Sequence, residues 1–182
     1  MMQLRTWIIA CLAMWPVWAF AQQLPPATVA VIDYQRIVSE SEAAVSIRSQ
    51  VDARHQRYQE QIAGEERRLH EANRELERQR SVLAPEAFAT KREDFDKDVA
   101  AVQRMVQDRR LELDLVNSEA VGVMRNKIIA IIESLAEDQG FNIVLPTSGV
   151  LLFTPELDLT EEVLARLNDE LPFVKVPEKP SE

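Results

Sequence analysis

The residues best suited by type to metal or nucleophilic chemistry are His55 and His70, the pair Thr147-Ser148, and a lone cysteine, Cys11. Their spacing takes that chemistry away. His55 and His70 lie in what reads as one long helix, too far apart to share a metal ion, with no Cys and no H-E-x-x-H beside them. Thr147 and Ser148 have no His–Asp partnership to activate a hydroxyl. No catalytic residue and no metal ligand is therefore assigned. The runs Glu65-Glu66-Arg67-Arg68 and Arg92-Glu93-Asp94 have the i,i+4 spacing of solvated helix faces. With only 4 Gly in 182 residues there is no glycine-rich cradle for a phosphate, and no cofactor is expected. The balance of 21 Lys+Arg against 30 Asp+Glu, a net charge of −9, argues against nucleic acid as a partner, because phosphate binding needs surplus cations.

What the sequence does carry is apolar periodicity, arranged in blocks. Residues 7–20 are almost wholly apolar, follow Arg5, and end in Ala19-Phe20-Ala21. This stretch is shorter than the ~20 residues a membrane span needs, and it reads as a secretory signal peptide over residues 1–21, cleaved near Ala21. An uncleaved anchor or lipidation at Cys11 are the competing readings. The apolar run continues past Cys11, which disfavours the second. Cleavage leaves a chain without cysteine, indifferent to an oxidising compartment.

Residues 28–33, mostly β-branched, read as a buried strand. Two long stretches rich in Glu, Gln, Arg, Ala and Leu then predict helices over 39–82 and 86–139, separated by Ala84-Pro85. Ile62, Leu69, Leu76 and Leu83 recur every seven residues in the first, and Phe95, Val99, Val102, Val106, Leu113 and Val116 follow 4-3 spacing in the second. At ~1.5 Å per residue such helices outrun any globule of this size. The expected fold class is α+β: a long antiparallel coiled-coil hairpin, the arm, over residues 48–115, projecting from a small β body over 22–47 plus 116–171. His55, Glu65, Gln79 and Arg109 interrupt the seam, which predicts a bendable arm.

The end of the second helix is apolar on more than one face, as a helix inside a body must be. Residues 141–145 and 150–153 read as two strands around Pro146–Gly149, and Asp158 to Glu161 as a capping box starting a short helix with Val163, Leu167 and Leu171 inward. The tail, 172–182, is proline-rich and expected to be mobile, with 173–176 a candidate edge strand. Three strands apolar on both faces cannot cover themselves. The body therefore predicts an oligomer, with the arm folding down over the sheet as the competing solution.

This order resembles the Skp/OmpH family of periplasmic chaperones. The matching stretches are Val29-Ala-Val-Ile-Asp33 with Gln35-Arg36, Leu83-Ala-Pro-Glu-Ala-Phe88, Gly140-Phe-Asn-Ile-Val-Leu145, and Asp158-Leu-Thr-Glu-Glu-Val163 running on to Arg166-Leu-Asn168. The resemblance implies a homotrimer joined through the strands, with Val29, Val31, Ile32, Ile143, Leu145, Leu151 and Phe153 at the subunit contacts. It implies ATP-independent holding of unfolded outer-membrane proteins between three arms, in the periplasm, before membrane insertion. The inward arm residues Tyr58, Ile62, Leu69, Leu76, Phe88 and Phe95 become candidates for client contact, against the alternative that they only pack the hairpin. A weak membrane or lipopolysaccharide contact would have to use cations such as Arg78, Arg80, Lys91 and Arg92, among which Glu77, Glu86, Glu93 and Asp94 are interspersed. Familiar members are basic and this chain is acidic, yet the arm still holds 14 of the 20 basic residues that follow the signal segment. The alternative from another class is an envelope scaffold or adaptor whose hairpin docks on one defined partner.

Overall fold

The computed structural model describes residues 25–180, so the expected signal peptide lies outside the described residues. Strand β1 (Val29–Ile32) forms where the β-branched run predicts it. Asp33 ends the strand and starts the next element, its Oδ1 accepting the Arg36 N–H at 2.9 Å to cap helix α1 (Tyr34–Glu40). The helix expected from residue 39 thus begins earlier, and it is broken at Ser41. There ψ of 149° takes the chain out of the helix, and the hydroxyl accepts the Ala44 N–H at 3.2 Å to begin α2 (Glu42–Gln79). Ser41 is fully buried, and its hydroxyl also lies 3.5 Å from the Met124 sulfur.

Pro85 opens α3 (Pro85–Gln139), placed where a missing N–H costs nothing. Gly140 closes it at φ 77°, a left-handed conformation that other residues rarely adopt. Strand β2 (Ile143–Pro146) then pairs in parallel with β1, Val29 opposite Ile143 and Ile32 opposite Pro146. Parallel strands need a long crossover. Here the whole helical hairpin is that crossover, so the arm is a loop of the sheet grown to great length.

Between α3 and α4, three expectations are corrected. The strand expected over 141–145 starts at Ile143: the Asn142 and Ile143 N–H groups both go to the Thr28 carbonyl, at the residue before β1, and the ladder begins only after them. The strand expected over 150–153 does not form: a 3-10 turn, Thr147–Gly149, leads into a stretch with no ladder partner among the described residues, and Leu151 and Leu152 stand fully in solvent. Chain becomes strand only when a neighbour exchanges backbone hydrogen bonds with it. The capping box is replaced by a tighter knot. The Asp158 carboxylate accepts the Thr160 N–H at 2.9 Å and the Thr160 hydroxyl, while Thr160 Oγ1 accepts the Asp33 N–H at 2.7 Å. Glu161 pairs with Arg36 instead. Helix α4 (Thr160–Glu170) starts from this knot.

The core is organised by one stripe of α3: Val116, Ala120, Met124, Ile128, Ile131 and Leu135, all essentially inaccessible. Against it lie Ile37 of α1, Ala43 and Ile47 of α2, and Val163 and Leu167 of α4. The C-terminal segment joins them. Rather than hanging free, it buries Val174 and Val176 in the same core without pairing to the sheet.

Thr160→Val keeps the shape of the buried knot but strands the Asp33 N–H. It is expected to lower stability by about 1–3 kcal/mol, with Thr160→Ser largely restoring it. Urea unfolding at fixed protein concentration is the measurement.

Candidate functional site

Two surfaces are left incomplete by this fold: the seam of the arm and the outer side of β2. Helices α2 and α3 contain 38 and 55 residues. Away from the body their shared seam closes only locally, Leu76 and Val102 being the buried apolar residues of that region. Elsewhere the two helices leave open slots. One, of about 580 Å³, is walled by Val51, Ile62, Val106 and Leu113, with Tyr58 and Arg109 at its polar side. A second, of about 240 Å³ near the tip, is lined by Ala72, Leu76 and Phe95 with Lys91, Asp94 and Asp98 at its rim.

The six candidate client residues distribute over this seam. Tyr58 and Ile62 line the first slot, and Leu76 and Phe95 the second. Leu69 and Phe88 are half-buried, and Leu76 is buried outright. None of the six stands free in solvent.

The interruption at Arg109 has a partner set that spacing alone did not show. Tyr58 donates its hydroxyl hydrogen to Glu112 Oε1 at 2.7 Å, and Arg109 donates to Glu112 Oε2 at 2.7 Å. The Arg109 guanidinium also lies 4.7 Å from the centre of the Tyr58 ring, and its buried Nε has no hydrogen-bond partner among the described residues. Burial pushes the Glu112 carboxyl up, but the bonds from Tyr58 and Arg109 and the Arg109 charge outweigh it and hold the group below its ordinary range. Burial, then the bond to Glu112 and its charge, push the Tyr58 phenol up. A polar triad therefore sits where a heptad seam would place an aliphatic residue.

On the body, β1 is satisfied on both edges: β2 lies on one side, and on the other the Leu159 N–H donates to the Val31 carbonyl at 2.9 Å. No strand among the described residues covers the far edge of β2. Alternation turns Val144 toward the core and leaves Ile143 and Leu145 each 39% exposed. Leu151, Leu152 and Leu157 add exposed apolar surface just beyond this strand. Of the residues expected at subunit contacts, Ile143, Leu145 and Leu151 are thus available, and Val29 and Phe153 are half-buried. Val31 and Ile32 are buried inside their own chain, 1% and 6% exposed.

The histidines are exposed and apart, and no cluster of three or more acidic, His or Cys side chains fit for a metal occurs among the described residues. Of the cations a lipid phosphate would need, Arg78, Arg80 and Arg92 are engaged by Glu75, Glu77 and Asp96. No described helix is long and apolar enough to cross a membrane.

Comparison with known proteins agrees with this architecture. The profile of the family described as "Outer membrane protein (OmpH-like)" matches residues 28–167, most of the chain. Among solved structures, a candidate OmpH-like outer membrane chaperone from Caulobacter crescentus CB15 superposes with a TM-score of 0.78 at 19% identity, covering 90% of this chain and 98% of its own. No curated protein matches the sequence significantly.

Tyr58→Phe keeps the ring and removes the donor to Glu112, and is expected to cost about 1 kcal/mol of local arm stability. Glu112 has a depressed folded value, so its share is present above the unfolded carboxylate range, ~4.3, and is lost as pH falls through the folded value. Tyr58 is raised, so its share is present below ~10 and is lost as pH rises through the folded value. Amide exchange of the segments around 55–62 and 106–113 should show a wild-type advantage that is flat near neutrality and shrinks at both extremes.

Proposed function

Because the chain belongs to the OmpH-like family, we propose that it is an ATP-independent periplasmic holdase, binding unfolded outer-membrane proteins between helical arms and preventing their aggregation before membrane insertion. The observation that carries this reading is the arm itself. It is a pair of very long helices whose seam is slotted with apolar-walled openings instead of being zipped shut.

An unfolded β-barrel chain exposes apolar side chains at every second position and unpaired strand edges, and it aggregates through both. Holding it calls for contacts that are weak, numerous and indifferent to sequence. A deep shaped pocket would commit the guest to one structure. Shallow slots spread along a thin, bendable pair of helices do not, and many of them acting together give avidity without one strong contact. Release then follows whenever a better competitor for the same segments is met.

A cage needs more than one arm, and the body supports that need. The bare edge of β2, with Ile143 and Leu145 on its outer face and Leu151 and Leu152 just beyond, is the kind of surface that soluble chains do not leave uncovered. In the proposed trimer these edges meet the corresponding edges of sister subunits, and the unpaired residues 150–153 gain the strand partners that the single chain lacks. The sheet is completed between chains, which roots three arms around one space. The acidic balance, −9 overall, leaves the apolar contacts to hold the guest with little help from attraction between charges.

The purified chain lacking residues 1–21 is expected to have the mass of three copies, and of three copies plus one guest after mixing with an unfolded outer-membrane protein. It should suppress light scattering of several unrelated unfolded barrels without ATP. Leu145→Arg with Leu151→Arg should yield single copies by light-scattering mass and lose most of that protection. Unchanged scattering with excess wild-type protein would end the holdase reading, and binding to one folded protein only would favour a scaffold.

A further inference from the structure

The C-terminal segment is held in an unusual way. Residues 174–177 run along the base of α2 without forming a helix or a strand, and their backbone pairs with side chains. Ser46, Gln50 and Arg54 are spaced four apart, so they form one row along the helix. The Ser46 hydroxyl accepts the Val174 N–H at 3.3 Å and donates to the Val174 carbonyl at 3.2 Å. The Gln50 carboxamide donates to the Val174 carbonyl at 2.8 Å and accepts the Val176 N–H at 3.1 Å. Arg54 donates to the carbonyls of Pro177 and Glu178 at 2.7 and 3.3 Å, and is itself 8% exposed.

Gln50 thus satisfies the carbonyl of one residue and the N–H of the residue two further on. A parallel strand neighbour does the same. The side chains obey strand alternation as well: Val174 and Val176 are 4% and 3% exposed and enter the core, while Phe173 and Lys175 face out. Nothing in this recognition reads the identity of the outward residues. It asks for an extended backbone with small apolar side chains at every second position.

We propose that the Ser46–Gln50–Arg54 face of α2, with its two apolar sockets, is a binding site for extended alternating segments of an unfolded chain, and that the C-terminus occupies it in cis as a stand-in for the guest. The guest class rests on the holdase reading; the existence of the site does not. An outer-membrane strand carries the required pattern throughout its length, apolar on one face and polar on the other. The tail carries it once and is bounded by Pro172 and Pro177, which limit how far it can extend its pairing. Tethering gives the tail an effective concentration of roughly millimolar, so an isolated peptide competes poorly with it. A guest already held by the arm is tethered too and competes on equal terms. The tail therefore keeps the site covered until a long, multiply bound guest arrives. The family match stops at residue 167, which makes the tail a feature of this chain beyond the matched region.

The test uses the full chain with Val174→Asp and Val176→Asp, which cannot bury two carboxylates and so frees the site. Three fluorescent peptides are the probes: residues 172–180 of this chain, an unrelated nonapeptide alternating Val and Thr, and the same nonapeptide with its valines blocked together. Anisotropy should show the first two binding the variant at least ~10-fold more tightly than wild type, the third failing to bind, and Gln50→Ala in the variant weakening both by a similar factor. If the variant loses helicity by circular dichroism, a protease site inserted between Leu171 and Pro172 opens the face after folding, and the same peptides are applied to the cut protein. Binding of the chain's own peptide alone would overturn the proposal by making the face a private socket. Binding of neither peptide to a folded, opened protein would overturn it as well. These readouts use no aggregation assay, so the site and the holdase reading stand or fall separately.

Discussion

Everything in the fold depends on burying one row of α3, from Val116 through Ala120, Met124, Ile128 and Ile131 to Leu135. Each of the other helices of the body has its inward residues against this row: Ile37, Ala43 and Ile47 on one flank, Val163 and Leu167 on another, and Val174 and Val176 of the C-terminal segment besides. The Val, Leu, Ile and Met side chains among them contribute on the order of 1.5–3 kcal/mol each when fully buried, the largest favourable quantity available to so small a body. Because the row belongs to a helix of 55 residues, the anchoring is transmitted outward. The half of α3 that is gripped sets the direction of the half that is not.

The ungripped half has little of its own to hold it. Its ion pairs, Arg92 with Asp96 and Lys97 with Glu93, are solvent-exposed pairs within one helix and contribute little. Arg68 reaches across the hairpin to Asp98 at 2.9 Å, again at the surface. At the triad of Tyr58, Arg109 and Glu112 the seam exchanges apolar packing for directed hydrogen bonds. Such bonds fix local geometry but bury less apolar area. A rigid root and a lightly fastened limb are what a parallel strand pair gains when its crossover is drawn out into a hairpin.

The same logic explains the incomplete edge. β1 has a partner on each side because the chain returns past it at Leu159, whereas β2 comes last in the sheet and no later segment among the described residues pairs with its outer edge. The C-terminal segment, which had the alternation to serve as that missing strand, goes instead to α2. There Gln50 and Ser46 meet its backbone groups, and the core meets its valines. The tail gains a packed environment at a helix, and the outer edge of β2 stays without a strand among the described residues.

Local preference was enough to read the long helices, the turn at Pro85, the stop at Gly140, the first strand and the inward row of the last helix, since each follows from period, proline and glycine chemistry within a few residues. Arg109 was legible as a break in the seam, though not its partners. What tertiary structure decided is everything that needs a distant neighbour. Residues 150–153 have a strand's composition and no strand, for want of a ladder partner. Asp158 and Glu161 have a capping box's spacing, but Asp33 and Arg36, far away in sequence, claim Thr160 and Glu161. Val174 and Val176 sit in a proline-rich tail that composition marks as loose, yet they are buried because Ser46, Gln50 and Arg54 are there to satisfy the backbone they bring along. Periodicity is a property of one segment, whereas hydrogen-bond satisfaction is a property of two, and only the folded chain decides which two meet.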